Sequence, residues 1–308
     1  SFDIPETYVL PDVKNTVGYY LKNGMDLLDL FIGAEGTLGV VSRIKLKLIP
    51  TPESVISMVI FFDDIGKSFE FLTRIKELSK KSFAKRDGNK IEARLIEFYD
   101  QKALALLSPH LNDIPEDCKA AFWIEQECKS ADECLNVLLS WENFLTASNI
   151  PLEKIWLGAD EKDRAKIIDM RHLLPILVND LVKINGMKKM GTDIALPDHE
   201  FEAYYYDAIK SVEEVGVDYV MFGHFGNSHI HLNMLPVNTD QMIICKNLYA
   251  YLCSEAIRLG GTFSAEHGVG KIKKDYLKMM YPQKSVAFMQ RVKLDFDPKN
   301  IVGLGNIF

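Results

Sequence analysis

The chain has 308 residues, 47% of them hydrophobic, which is enough to bury a large core; this excludes wholesale disorder and favours two domains over one. A formal charge of −7, with Lys and Arg scattered along the chain, excludes an electrostatic footprint for nucleic acid but leaves room for a small anionic ligand at a locally basic pocket. No stretch approaches the roughly 20 apolar residues of a spanning helix, and Cys118, Cys128, Cys134, Cys245 and Cys253 form no CxxC pair, so the expectation is a cytoplasmic protein in a reducing compartment with no integral membrane segment.

The chain opens on Ser rather than Met, without a helix cap or a strand start, and is expected to be a piece of something longer. Residues 29–50 predict a glycine-rich turn followed by a strand, because Ile44, Leu46 and Leu48 alternate with Lys45 and Lys47 at period two. Within the turn, GAEGTLG places Gly33, Gly36 and Gly39 three residues apart, which allows close approach of backbone to a ligand. It is neither a GxGxxG opening a helix nor a Walker loop, so a cofactor loop and a tight structural turn stand level on physical grounds. Pro50 and Pro52 end the strand and mark a domain boundary.

Beyond the boundary, residues 55–62 read as strand, 66–79 as helix, 92–98 as ambiguous, 120–126 as strand and 131–147 as helix. A second run follows: helix 162–184 around Pro175, strand 190–196, helix 198–215, strands 218–222 and 229–235, and helix 239–259 closed by Gly260 and Gly261. Strands interleaved with helices, some adjacent without a crossover, predict an α+β layer of ferredoxin-like type. Two such units can build one sheet with helices on one face, although no repeat is visible in residue identity.

Only seven histidines occur, and four lie in GHFGNSHIHLN and AEHGVGK. In a strand, His229, His231 and Asn233 project to one side and Ile230, Leu232 and Met234 to the other, giving a polar face and an apolar one. His224 precedes this strand in a turn built on Gly223 and Gly226, where a sharp reversal brings its imidazole back over the polar face. Two or three imidazoles with the carboxylate of Glu266 form a ligand set for zinc or a similar divalent ion with an open position. The plainer alternative is strand histidines satisfied by backbone or water, with His267 an ordinary surface residue. If the backbone there is extended, His267 points away from Glu266 and is free to act as a base.

Taken together, DLFIGAEGTLGVVSRIKLKL, GHFGNSHIHLN, AEHGVGKIKKDYL and DPKNIVGLGNIF resemble, in order, the FAD-linked oxidases and dehydrogenases of the vanillyl-alcohol-oxidase type, in the branch of D-lactate, glycolate and D-2-hydroxyglutarate dehydrogenases. The resemblance implies that residues 1–52 are the C-terminal part of a PCMH-type FAD-binding domain. Residues 53–260 are then a ferredoxin-like α/β substrate, or cap, domain with an antiparallel sheet and helices on one face, and 261–308 a segment returning to the flavin site. It implies flavin-side roles for Glu35, Gly36, Thr37, Gly39 and Val40, metal ligation by His224, His231 and Glu266, and catalysis by His267. Arg171, in DMRHLLP, matches an arginine suited to holding the substrate carboxylate, with Asn233, His229 and Lys273 as further substrate contacts.

The chain departs from the pattern where the family usually has Asp-Gly-Asn: here stand Asn227, Ser228 and His229, a loop that loses a charge and gains an imidazole. Nothing in residues 1–28 resembles the loop that cradles the FAD pyrophosphate, so this stretch is expected to be short of groups needed to hold FAD by itself. The function implied is FAD-dependent, metal-assisted oxidation of a small anionic 2-hydroxy acid; the reading allows a homodimer, and no motif specifies the electron acceptor. The alternatives are metal-dependent hydrolysis without flavin, and a drifted cap fragment with a binding or structural role, which Asn227 and Ser228 favour.

Overall fold

A computed structural model describes residues 3–85, 90–158 and 161–308. A short helix α1 (Leu27–Phe31) is followed by β1 (Ser54–Phe62), α2 (Ile65–Lys85), β2 (Leu95–Asp100), α3 (Gln101–Leu107), β3 (Ala120–Cys128), α4 (Ala131–Ala147) and β4 (Ile155–Leu157). Local chemistry sets several boundaries. The run SVISMVIFF is β-branched and aromatic, as β1 requires. The Asp100 carboxylate caps α3 at the Ala103 N–H, and the Ser130 hydroxyl caps α4 at the Glu133 N–H. The pairings within this half are antiparallel and run β4-β1-β3-β2, the order of a ferredoxin-like βαββαβ unit.

The chain then forms α5 (Glu161–Asn185), β5 (Met190–Gly191), β6 (Ile194–Ala195), α6 (Asp198–Glu214), β7 (Tyr219–Gly223), β8 (His229–Met234) and α7 (Thr239–Arg258). Strands β5 and β6 pair β8 in one unbroken register, Gly191 opposite Asn233 and Ile194 opposite Ile230, so residues 190–195 are a single strand interrupted at Thr192 and Asp193. There the Thr192 hydroxyl accepts the Leu232 N–H in place of a main-chain carbonyl. With the bridge from Ala195 to Thr262, this half repeats the order of the first: bridge, β5/β6, β8, β7. The two halves meet edge to edge, Phe98 of β2 opposite Gly223 of β7 and Tyr99 opposite Phe222. The two units anticipated from the sequence thus form one continuous sheet.

One face of the sheet, carrying Phe98, Phe122, Ile230 and Leu232, packs under α2, α4, α6 and α7, which is the helical layer expected on one face. The opposite face carries Val59, Phe61, Tyr99, Trp123 and Phe222 and is covered in addition by α3 and α5, through Leu104, Ile167, Met170 and Leu174. After α7 come α8 (Lys274–Met280) and α9 (Gln283–Phe296), whose Leu277, Phe288, Met289 and Val292 close over Tyr8, Val17, Tyr19, Leu30 and Leu38 from the first residues of the chain.

Residues 44–48 differ from expectation. They pair with no strand among the described residues, and Ile44, Leu46 and Leu48 are 70%, 75% and 84% exposed. A period-two pattern yields a strand only where a neighbour takes its backbone N–H and C=O groups. Residues 92–98, ambiguous by pattern, contribute to β2 because β3 and β7 flank it. Among the described residues no helix is long and apolar enough to cross a membrane.

Candidate metal centre and redox site

Register places the site. His231 lies opposite Phe222 on β7, so the polar side of β8 faces the α5 layer rather than the four-helix layer. Gly223 ends β7, and a side chain there would bring its Cβ within 2.5 Å of the His229 carbonyl, so only glycine permits the reversal that returns the chain to β8. A 3-10 turn, Phe225–Asn227, follows His224, and Ser228 then takes a left-handed φ of 50°. The Ser228 hydroxyl offsets that strain through bonds to Asp198 and Lys76, at 2.7 Å each. The reversal sets the His224 ring 5.1 Å from His229 and 5.5 Å from His231, between centroids.

Each imidazole is held by one nitrogen. His231 Nδ1 donates to the Thr192 carbonyl at 3.1 Å, His229 Nε2 donates to Asp193 at 2.8 Å, and His224 Nδ1 makes a short contact with Glu97. Each partner can only accept, so the bonded nitrogen carries the proton, and in the neutral ring the other nitrogen presents a lone pair. His224 Nε2 and His231 Nε2 lie 3.5 and 3.9 Å from the same oxygen of Glu266, whose other oxygen meets Lys14. One donor atom from each of His224, His229, His231 and Glu266 falls within 4.8 Å of all the others. Burial, and then the neighbouring His229, push His231 down to about 4, so it is neutral near pH 7, as a metal ligand must be. Burial works against the charge of Glu266, yet the Lys14 hydrogen bond and His224 hold it below its ordinary value.

Behind the imidazoles sits Asp193, fully buried. It accepts from His229, from the Ser264 hydroxyl at 2.8 Å, and from the N–H groups of His267 at 2.8 Å and Glu266 at 3.2 Å. Burial by itself would raise its pKa, but the bonds from His229, the His267 N–H and Ser264 hold the carboxyl well below the usual carboxylate range. His267 is 61% exposed, its ring stacked 5.5 Å from His231 with 13° between planes. Glu266 and His267 therefore both border the cluster, instead of parting as an extended backbone would have them.

The GAEGTLG loop is tied to this segment. Glu35, at φ 52°, accepts the N–H groups of Val269 and Gly270 at 2.7 Å each, and Gly268 admits the carboxylate where a Cβ would stand 2.5 Å from it. Thr37 is buried, its hydroxyl donating to the Ala34 carbonyl at 2.6 Å and its own carbonyl accepting from Lys293 at 2.9 Å. The Gly36 carbonyl lies against Gly303, Gly39 is half-buried, and Val40 is 86% exposed. Of the five residues expected on the flavin side, Glu35 and Thr37 hold the loop to the C-terminal segment, and Val40 faces outward.

Arg171 on α5 donates from Nε to Glu97 at 3.1 Å, so Glu97 links it to His224. Lys273 lies beside Asp193, 3.0 Å from the Ser264 hydroxyl and 3.7 Å from the carboxylate. Asn233 accepts from Lys189 at 2.8 Å, and burial lowers the Lys189 pKa. Glu97, Asp193, Lys189 and Lys14 escaped the sequence reading. For the two acids the signal was present: a carboxylate inside an otherwise apolar strand, LIEFYD or GTDIALP, requires a buried partner. A cleft of about 1120 Å³ opens beside His224, lined also by Lys14, Arg94, Glu97 and Asn227.

Similar proteins carry this architecture. The chain is 26% identical to a glycolate oxidase subunit of Bacillus subtilis over 311 residues, covering 96% of this chain and 60% of the relative. It is 23% identical to a D-lactate dehydrogenase of Archaeoglobus fulgidus (96% and 61%) and 26% identical to a D-2-hydroxyglutarate dehydrogenase of Stutzerimonas stutzeri (96% and 60%). It thus spans about 60% of the length of these curated relatives. Among solved structures, p-cresol methylhydroxylase matches with a TM-score of 0.65 at 11% identity, covering 93% of this chain and 61% of that one. A 4-ethylphenol oxidase from Gulosibacter chungangensis matches with a TM-score of 0.62 at 14% identity, covering 94% and 60%, and both likenesses are of fold. A family model described as FAD linked oxidases, C-terminal domain, matches residues 51–307, and the chain belongs to that family.

Proposed function

We propose that this chain forms the substrate and metal side of an FAD-dependent dehydrogenase of 2-hydroxy acids, with His224, His231 and Glu266 holding a divalent ion. The observation that carries the metal is the convergence of the free Nε2 atoms of His224 and His231 on one oxygen of Glu266. Two imidazoles and a carboxylate suit zinc or a similar ion. When bound, FAD supplies the hydride acceptor and the divalent ion supplies Lewis-acid polarisation of a substrate oxygen.

The chain's own residues do the rest. His267, exposed at the rim and anchored through its N–H to Asp193, accepts the hydroxyl proton as the C2 hydride leaves, giving a 2-oxo acid. Lys189, beside Asn233 on the polar side of β8, and Arg171, oriented by Glu97, meet the substrate carboxylate. Glu97 fixes the tautomer of His224. Gly36, Gly39 and Val40 form the flavin side, and Glu35 and Thr37 act there through the loop they hold. The similarity to enzymes named for glycolate, D-lactate and D-2-hydroxyglutarate supports the substrate class.

The test is dye reduction by the flavin-loaded protein with these three acids. Chelation should lower turnover at least about 100-fold, reversibly on adding back the ion. His267→Ala should lower kcat by about 100- to 10,000-fold while metal content is unchanged. Turnover and metal content that both survive chelation would overturn the assignment.

A further inference from the structure

We propose that His229 is a third imidazole ligand, which makes this centre a three-histidine, one-carboxylate site; the proposal rests on the metal reading above. The His229 side chain is fully buried, and its Nδ1 has no hydrogen-bond partner. Leaving such a polar atom buried and orphaned is unfavourable unless something binds it. Its neighbours point to what that is: the ring lies 4.4 Å from His231 and 5.1 Å from His224, and one of its ring nitrogens belongs with donor atoms of His224, His231 and Glu266 in a set spanning 4.8 Å. Among the described residues no group donates to this nitrogen, whereas a cation held by the neighbouring imidazoles and Glu266 would satisfy it together with them.

The opposite side of the ring is built for ligation. Asp193 accepts the Nε2–H, which fixes the tautomer with the lone pair on Nδ1 and increases its basicity, the carboxylate–histidine–metal arrangement common at metal sites. The same carboxylate holds the N–H groups of Glu266 and His267. One buried anion thereby positions the added ligand, the carboxylate ligand and the proposed base. An asparagine at 229, the residue usual in the family that the motif resembles, offers no imidazole lone pair there. With four protein donors, an ion confined to four ligands has no open position, while one that takes five or six keeps a place for a substrate oxygen.

X-ray absorption at the zinc edge of the zinc-loaded wild-type protein should count three imidazoles. Two imidazoles would overturn the proposal and leave the His224, His231 and Glu266 site standing; failure to retain any zinc would overturn both. In competition with a chromophoric chelator, His229→Asn should weaken zinc binding by about 10- to 100-fold, with its fold checked by circular dichroism. A folded His229→Asn protein with wild-type affinity sinks the proposal, while loss of binding in His224→Asn independently supports the underlying site. If His229→Asn does not fold, the imidazole count in the wild type decides.

Discussion

The two ferredoxin-like units share a strand order, a helical layer and a common sheet, yet the face under α3 and α5 differs between them. In the first unit it carries Val59, Phe61 and Trp123, packed against Ile167 and Met170. In the second, the corresponding strands carry Asp193, His229, His231 and Asn233. The first unit supplies apolar burial and the second supplies donor atoms, and the seam between β2 and β7 delivers Glu97 from the apolar unit to His224 of the polar one. One topology thus serves once as a core and once as a site, because strand alternation lets a sheet change the chemistry of one face without altering its backbone.

The comparison breaks most severely at Asp193. Asp193→Ala leaves the His229 Nε2–H, the Ser264 hydroxyl and the N–H groups of Glu266 and His267 without their acceptor, and Lys273 without its counter-charge. The expected result is a loss of about 3–5 kcal/mol in urea unfolding, together with loss of bound metal by elemental analysis. Phe61→Ala, in the first unit, removes a ring packed edge-on to Trp156 at 4.9 Å. It should cost about 3 kcal/mol by the same measurement while metal content stays at the wild-type level. A loss of metal in Phe61→Ala would show that the two units are not separable.

The mildest test probes the seam. Asp100 accepts the Met221 N–H from β7 as well as capping α3, and burial pushes its carboxyl up to about 7 despite both bonds. The unfolded carboxyl titrates near 3.8, so between these values the native state binds more protons. Its contribution to stability is therefore full below about pH 4 and is lost as pH rises through 7. Asp100→Asn should flatten the fall in urea midpoint across that interval, and an unchanged slope would remove Asp100 as its source.

Much of the fold was legible because its periodicities are local. Residues 131–147 and 239–259 carry helical spacing between recognisable caps and stops, and they form α4 and α7 nearly as read. Residues 44–48 have an equally clear pattern and form no strand among the described residues, since pairing requires a neighbour that no local pattern supplies. Short elements such as β4, with three residues, and α3, with seven, carry too little periodicity to be seen.

The site divides the same way. By itself the sequence determined that His229, His231 and Asn233 share a face, since a period of two admits no other grouping, and that a glycine turn returns His224 to them. Only the tertiary structure decided which nitrogen of each ring is committed. Asp193 reaches His229 from 36 residues away, Glu97 reaches His224 from 127 and Lys14 reaches Glu266 from 252. Those contacts follow from the order of strands in the sheet and the closure of the termini upon it, and neither is written in the spacing of neighbouring residues.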